Sequence, residues 1–461
     1  MTAPLPNVVV VGGGLAGLAA ALELRGRAHV TVLESGSRLG GKVRVSDVGG
    51  LPVDEGADAM LRRVPHGVRL AQDAGLGDEL VSPAAGQAFL LSRGELRPLP
   101  SGTVMGVPAD LAALARSEVL SAAGLARVPL DLVRPGPATV EDVSVGELVA
   151  RRLGREVVER LVDPLLGGVY AGRADLLSLQ ATLPQLVEPL ARNRSLVLAA
   201  RDARGTPSPG PVFAGLPGGL GRLPQAVAVA SGAQVRLRTT VRALIRTPDG
   251  WRLVIGSAAE PAYVDADAVV LAVPAAPAAR LLRDVAPHAA ADLGGIDYAS
   301  VAIVTLVLAG PPPGEGSGYL VPAVEGLTTK AVTFTSRKWG AYPGDVTVLR
   351  ASIGRYGEEV DLQRDDAELV ELVLEELALV LGPVGPLVDS RVVRWGGGLP
   401  QYAVGHLDRV LRIRAAVGQL PGLAVAGAAY DGVGVPAVIR SGREAAAAVL
   451  LHNGGHDRDT R

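Results

Sequence analysis

The chain has 461 residues, 48% of them hydrophobic, a formal net charge of -2 and no cysteine. That length supports two or three hydrophobic cores, and the near-neutral charge gives no electrostatic footprint for nucleic acid or a strongly acidic partner. Without cysteine there are no disulfides, thiolate metal sites or dithiol redox chemistry within the chain, so any redox work falls to a bound cofactor. Lysine occurs only at 42, 330 and 338, and arginine supplies the rest of the 45 basic residues. With such a bias, any single arginine says little about function.

Taken in chain order, the first predicted element is a strand at Val8 to Val11, a β-branched run suited to a parallel strand buried on both faces. Gly12, Gly14 and Gly17 then satisfy G-x-G-x-x-G, within Gly12, Gly13, Gly14, Leu15, Ala16 and Gly17. The first glycine permits the tight turn, the second lets backbone N–H groups approach a pyrophosphate, and the third lets the helix pack on the strand. A helix is predicted from Leu15 to Leu24, its N-terminal dipole facing the phosphates. A second strand, His29 to Leu33, ends in Glu34, at the spacing where a carboxylate takes ribose hydroxyls. This much fits a nicotinamide or a flavin dinucleotide equally. The triple glycine also breaks the N-terminal apolar run, which argues against a signal peptide or membrane span and for a cytoplasmic location.

Directly after Glu34 comes Arg38-Leu39-Gly40-Gly41-Lys42. It resembles the R-x-G-G-[KR] segment that FAD-dependent amine oxidases and their relatives place after the second strand, which points to FAD. No second G-x-G-x-x-G opens a later helix, which favours an oxidase or desaturase over a pyridine-nucleotide reductase.

Residues 104–205 have helical periodicity, and Ser144 with Glu147 fits a capping box. Residues 233–273 read as strands around an Asp249-Gly250 turn. Residues 296–410 mix apolar strands with an amphipathic helix from Asp365 to Leu381. The C-terminal part reads as a strand, a loop with Gly427, Gly432 and Gly434, and a helix, followed by a disordered tail at 453–461. The expected architecture is α/β: a discontinuous Rossmann-type FAD-binding domain (1–90, 210–290 and 415–461), a mainly helical lid or membrane-facing region (91–209), and an α+β substrate domain (291–414).

Downstream segments carry a more specific resemblance, covering nearly the whole chain. "DEGADAML" at 54–61, "LRPLPSGTVMGVP" at 96–108, "LVDPLLGGVYAG" at 161–172, "FAGLPGGLGRLP" at 213–224, "LPQYAVGH" at 399–406 and "GVGVPAVIRSG" at 432–442 together resemble the protoporphyrinogen/coproporphyrinogen oxidases of late haem synthesis, nearest the soluble Gram-positive form that acts on coproporphyrinogen III. The resemblance implies FAD contacts at Gly12 to Gly17, Glu34, Ser35, Lys42, Gly56, Ala57, Asp58, Ala59, Val241, Ala428, Val433, Gly434 and Val435, with Trp395 beside the flavin. The family often has Phe where Met60 stands, after Ser or Gly where Ala59 stands.

The implied reaction removes six electrons and six hydrogens from a porphyrinogen, with molecular oxygen as acceptor and hydrogen peroxide as by-product. No acid–base or metal constellation is evident among the six scattered histidines, so no catalytic residue is named, although Asp58 stands as a proton acceptor against a capping role. Arg62, Arg63 and Arg173 are candidate propionate partners, and Met105 and Tyr170 candidate walls for the macrocycle. The alternatives are protoporphyrinogen IX as substrate, an amine oxidase or desaturase, or a flavin-free escort protein. Three Trp, eight Tyr and three Phe leave little for the aromatic cage of an amine oxidase. Peripheral membrane contact and oligomeric state are left open.

Overall fold

In the computed structural model, which describes residues 4–134, 142–204 and 210–453, the β-branched run becomes the middle strand of a five-stranded sheet. Its order is Gln234–Arg236, His29–Leu33, Asn7–Val11, Ala268–Leu271 and Leu423–Val425, with every pairing parallel. Val8 and Val10 face the helices Leu15–Glu23 and Val435–Asn453 in one core. Val9 and Val11 face an antiparallel three-stranded sheet (Ala243–Thr247, Gly250–Gly256, Pro261–Ala266) and the helices Ala275–Leu282 and Pro287–Gly294. Burial on both faces explains why the run is continuous rather than alternating.

Strand Asn7–Val11 has its sequence neighbour on one side and Ala268–Leu271 on the other, so the order in which strands are added to the sheet reverses here, and the connections leave its carboxyl end toward opposite sides. That is where an open α/β sheet forms a ligand crevice. A Cβ on Gly17 would lie 2.0 Å from the Gly12 carbonyl oxygen, so only glycine lets the first helix sit this close to the turn.

A second, seven-stranded sheet runs in the order Leu387–Pro400, Tyr298–Ala309, Val346–Ile353, Thr329–Phe334, Gly318–Leu320, Phe89–Ser92 and Glu95–Pro98. Helix Asp366–Leu381 covers one of its faces, and Asp365 and Glu368 close that helix's N-terminus reciprocally. A helical unit between residues 104 and 204 has its own core, in which Leu148, Leu161, Leu166, Leu186 and Val197 are fully buried. Ser144 Oγ accepts the Glu147 N–H at 3.1 Å, supplying one arm of the expected box. Pro164 lacks the N–H that a regular helix needs, and the turn before it, Val158–Val162, widens to i→i+5 spacing. The expected tail, apart from Asn453, lies outside the described residues, as do the side chains of His452 and His456.

Candidate active site

The crevice at the sheet's carboxyl ends is a cleft of about 920 Å³. Of the residues expected at a cofactor, Gly12, Gly14, Leu15, Ala16, Glu34, Ser35, Lys42, Ala57, Val241, Trp395, Ala428, Val433 and Val435 line it. Gly13, Gly17, Gly56, Asp58, Ala59 and Gly434 do not. Gly13, Gly17 and Gly56 shape the wall from behind: a Cβ at Gly13 would meet Leu39 at 2.5 Å, and one at Gly56 would meet the Lys42 carbonyl at 1.9 Å. Half-buried Ala59 follows Asp58, and Gly434 opens the last helix, its carbonyl accepting the Val438 N–H.

The turn is built for a phosphate. Gly12 has φ +106°, a left-handed geometry that glycine adopts without strain, and a Cβ there would strike the Ala272 carbonyl at 2.5 Å. At Gly14 a Cβ would meet nothing within 4 Å, leaving open space at the helix N-terminus. Glu34 is pinned in place, Oε2 accepting the Gly13 N–H at 2.7 Å and Oε1 the Gly36 N–H at 2.6 Å. Gly40 donates its N–H to Gly13 O at 2.8 Å and so draws the R-x-G-G-K run against the glycine turn. Lys42 follows it into the cleft. Burial lowers its pKa, and among the described residues its ammonium has no partner. A half-buried cation without a partner among the described residues, beside a helix N-terminus that faces open space, fits the diphosphate of a dinucleotide.

The opposite wall comes from the seven-stranded sheet. Trp395 lines the cleft and donates its indole N–H to Glu55 O at 2.9 Å, while Arg350 donates to Gly56 O at 2.6 Å. Asp58 is not a free base. Its carboxylate receives Lys338 Nζ at 2.7 Å and lies 3.6 Å from Arg350. Burial alone would raise the Asp58 pKa, but Lys338 and Arg350 together hold it below the ordinary value, so it stays ionised.

The remaining expected site residues stand away from the cleft. Arg62 and Arg63 are exposed, and the Arg62 side chain reaches the Ser82 hydroxyl at 3.4 Å. Met105, at φ +47°, packs half-buried against the helical core. Tyr170 is buried in that core, 5.6 Å from the Tyr402 ring, and Arg173 is exposed.

Several site residues carried no local signal. Thr239, Thr240, Arg242 and Arg280 line the cleft; the Thr239 N–H, donating to Glu34 O at 2.8 Å, brings that segment alongside the acidic residue. Tyr402 donates to Ala428 O at 2.6 Å and accepts the Gly432 N–H at 2.8 Å, bridging the glycine loop at the cleft's far end. His406 stacks on Tyr402 at 4.0 Å, and burial pushes its pKa down to about 4, so it is neutral near pH 7. Among the described residues no group of three or more His, Cys, Asp or Glu is placed to hold a metal.

The family model for flavin-containing amine oxidoreductases matches residues 15–450. The chain belongs to that family. Among curated relatives, coproporphyrinogen III oxidase of Mycobacterium tuberculosis is 39% identical over 449 residues, spanning 96% of each chain. That of Bacillus subtilis is 33% identical, covering 97% of this chain and 98% of its own. Among solved structures, one from Exiguobacterium that bears the name protoporphyrinogen oxidase superposes with a TM-score of 0.86 at 34% identity, over 97% and 99% of the two chains. Cyclohexylamine oxidase from Brevibacterium oxydans shares the fold, with a TM-score of 0.72 at 18% identity, over 98% and 100% of the two chains. This flavoprotein is therefore an oxidoreductase with the amine-oxidase fold and FAD as its cofactor. The flavin-free reading falls with that assignment.

Proposed function

We propose that this flavoprotein oxidises coproporphyrinogen III to coproporphyrin III in haem synthesis, passing the electrons to molecular oxygen. The observation that carries the reading is end-to-end likeness to oxidases of that name, 39% identity over 96% of both chains, joined to a cleft that fits a dinucleotide. When bound, FAD takes an electron pair and hydrogen from the macrocycle and gives them to dioxygen, three times per porphyrin, with three hydrogen peroxide molecules released.

In this reading the protein's own work is placement. Residues 1–90, 210–290 and 415–461 hold the cofactor, with Lys42 and the N–H groups near Gly14 on the diphosphate and Glu34 on the ribose. Residues 91–209 and 291–414 hold the tetrapyrrole, and the strands Phe89–Ser92 and Glu95–Pro98 belong structurally with the latter. Trp395, Val433 and Val435 wall the reacting end, where Val433 also touches the helical core. The exposed guanidinium groups of Arg62, Arg63 and Arg173 are matched to propionates.

The test is oxygen-dependent porphyrin fluorescence, measured in parallel with coproporphyrinogen III and protoporphyrinogen IX. Faster turnover of the first is expected; equal or faster turnover of the second would overturn the substrate choice. The second reading has its own support, a chloroplastic protoporphyrinogen oxidase of Nicotiana tabacum that is 28% identical over 96% of this chain and 85% of its own.

Among the described residues no helix is long and apolar enough to cross a membrane. Exposed Leu130, Leu132 and Val133, close in sequence to Arg127 and Arg134, suit peripheral contact with an anionic bilayer. Sedimentation with anionic vesicles tests it, and protein left entirely in the supernatant rejects it.

A further inference from the structure

The glycine run Gly396–Gly398 follows the cleft-lining Trp395, and its three members answer to different constraints. Gly397 has φ +56°, which favours glycine. A Cβ on Gly398 would lie 3.0 Å from both Cβ and O of Trp395. Gly396 has neither reason: its φ is not left-handed, and a Cβ there would meet nothing within 4 Å. Backbone conformation and packing both leave room for a side chain.

What sets Gly396 apart is its position between two hollows. It lines the cofactor cleft, and it also lines a second cavity of about 500 Å³ shared with Ser300, Val301, Gln363, Arg364 and Arg394. Among the described residues, Gly396 is the one common to both linings. The neighbouring strand is irregular at the same place, its pairing slipping between Ala299 and Val301, and Ser300 Oγ accepts the Gly397 N–H at 3.1 Å. A bulge of this kind re-aims a strand beside a site. The second cavity is ringed by charged and amide groups, including Asp365, Asp366 and Glu359, with Val301 and Leu362 as apolar members of its lining, so it suits small molecules and not a second macrocycle.

We propose that the neck at Gly396 is a back passage for dioxygen and hydrogen peroxide, separate from the route the macrocycle takes. The proposal rests on the oxidase reading above. Each of the three rounds moves two electrons and two protons to one dioxygen and yields one hydrogen peroxide. A tetrapyrrole held through successive rounds fills the front of the site, so oxidant and by-product need another way in and out. A glycine at the neck keeps that way open, and any larger residue narrows it.

The experiment uses the holoenzyme and the variants Gly396→Val and Gln363→Trp, the latter on the wall of the second cavity and away from the cleft. Flavin content is read from the absorption spectrum. The flavin is reduced anaerobically by light with EDTA as donor, which requires no porphyrinogen turnover, and then mixed with oxygenated buffer with and without coproporphyrin III. Reoxidation with porphyrin present should slow about tenfold in Gly396→Val and less in Gln363→Trp, with a smaller effect when porphyrin is absent. Crystals pressurised with xenon provide a readout independent of turnover. Xenon should occupy the space between Ser300, Val301 and Gly396 in the wild type and be lost in Gly396→Val. Reoxidation that ignores both substitutions with porphyrin present, or no xenon at the neck of the wild type, overturns the proposal. Failure of the substrate reading looks different: no porphyrin forms and coproporphyrin III changes no rate, while the xenon site remains.

Discussion

Lys338 Nζ lies 2.7 Å from Asp58 Oδ2, an ion pair between residues 280 apart that fastens the seven-stranded sheet to the loop carrying cleft-lining Ala57. Arg350 reinforces it from 3.6 Å and also holds Gly56 O. Asp58→Asn leaves both cations largely buried without their anion and should cost about 3–5 kcal/mol by urea unfolding, whereas Lys338→Met, which leaves Arg350 in place, should cost less. The Asp58 pKa is lowered in the folded state, so its stabilisation is complete above the ordinary value of 3.8 and is lost as pH falls through the folded value. The wild type should therefore show an acid loss of stability that Asp58→Asn lacks; matching acid profiles would count against it.

Lys42 lines the cleft, and its ammonium has no ion-pair or hydrogen-bond partner among the described residues. Lys42→Met removes a charge-assisted contact worth about 1.5–3 kcal/mol, so FAD should bind roughly ten- to a hundredfold more weakly. Fluorescence titration of the apoprotein with FAD measures this directly.

Tyr402 ties the far end of the cleft together through Ala428 and Gly432. Tyr402→Phe keeps the stacking surface but strips the Gly432 N–H of its partner, at a cost of about 1–3 kcal/mol. Faster FAD release is the expected consequence, read as the recovery of flavin fluorescence on dilution.

Lys330 is buried, donates to Gly354 O at 2.7 Å, and has its pKa pushed down to about 7 by burial, with Arg355 adding to the effect. Below pH 7 the folded and unfolded states both carry the proton, and burying the charge costs stability in full. Between pH 7 and the ordinary value of 10.5 the unfolded state binds more protons, so stability rises with pH. Lys330→Met should stabilise the protein at pH 6, by about 2 kcal/mol, and flatten that rise. Thermal unfolding at pH 6 and pH 9 checks both parts.

The Asp131 carboxylate is fully buried, 2.5 Å from Arg152 Nε, and also accepts from Ser195 Oγ at 2.6 Å and the Val197 N–H at 3.0 Å. It joins three segments of the helical unit. Asp131→Ala strands the Arg152 charge, and a loss of about 3–5 kcal/mol is expected by denaturant unfolding.

Arginine abundance made each arginine a weak signal, and Arg62, Arg63 and Arg173 do not line the cofactor cleft. The same bias makes a lysine informative, and all three have defined places: Lys42 in the cleft, Lys330 in the seven-stranded sheet, Lys338 on Asp58. Only Lys42 stood within a recognisable motif. The other two acquire meaning from partners that lie far away in sequence.

The glycine turn that opens the cleft was therefore legible in local sequence. A tight turn, a close helix–strand approach and a carboxylate at fixed spacing are short-range demands, and Gly12, Gly14, Gly17 and Glu34 meet them within one strand–helix–strand unit. The rest depended on how distant segments meet. Trp395 reaches Glu55 across 340 residues, and Tyr402, just beyond the end of its strand, reaches Ala428 in the glycine loop. It was likewise tertiary packing that turned Asp58 from a candidate base into half of an ion pair, and that set an otherwise unconstrained Gly396 between two cavities. A sequence specifies its near neighbours through backbone geometry, whereas charge pairing and shared hollows arise only when the sheets are packed together.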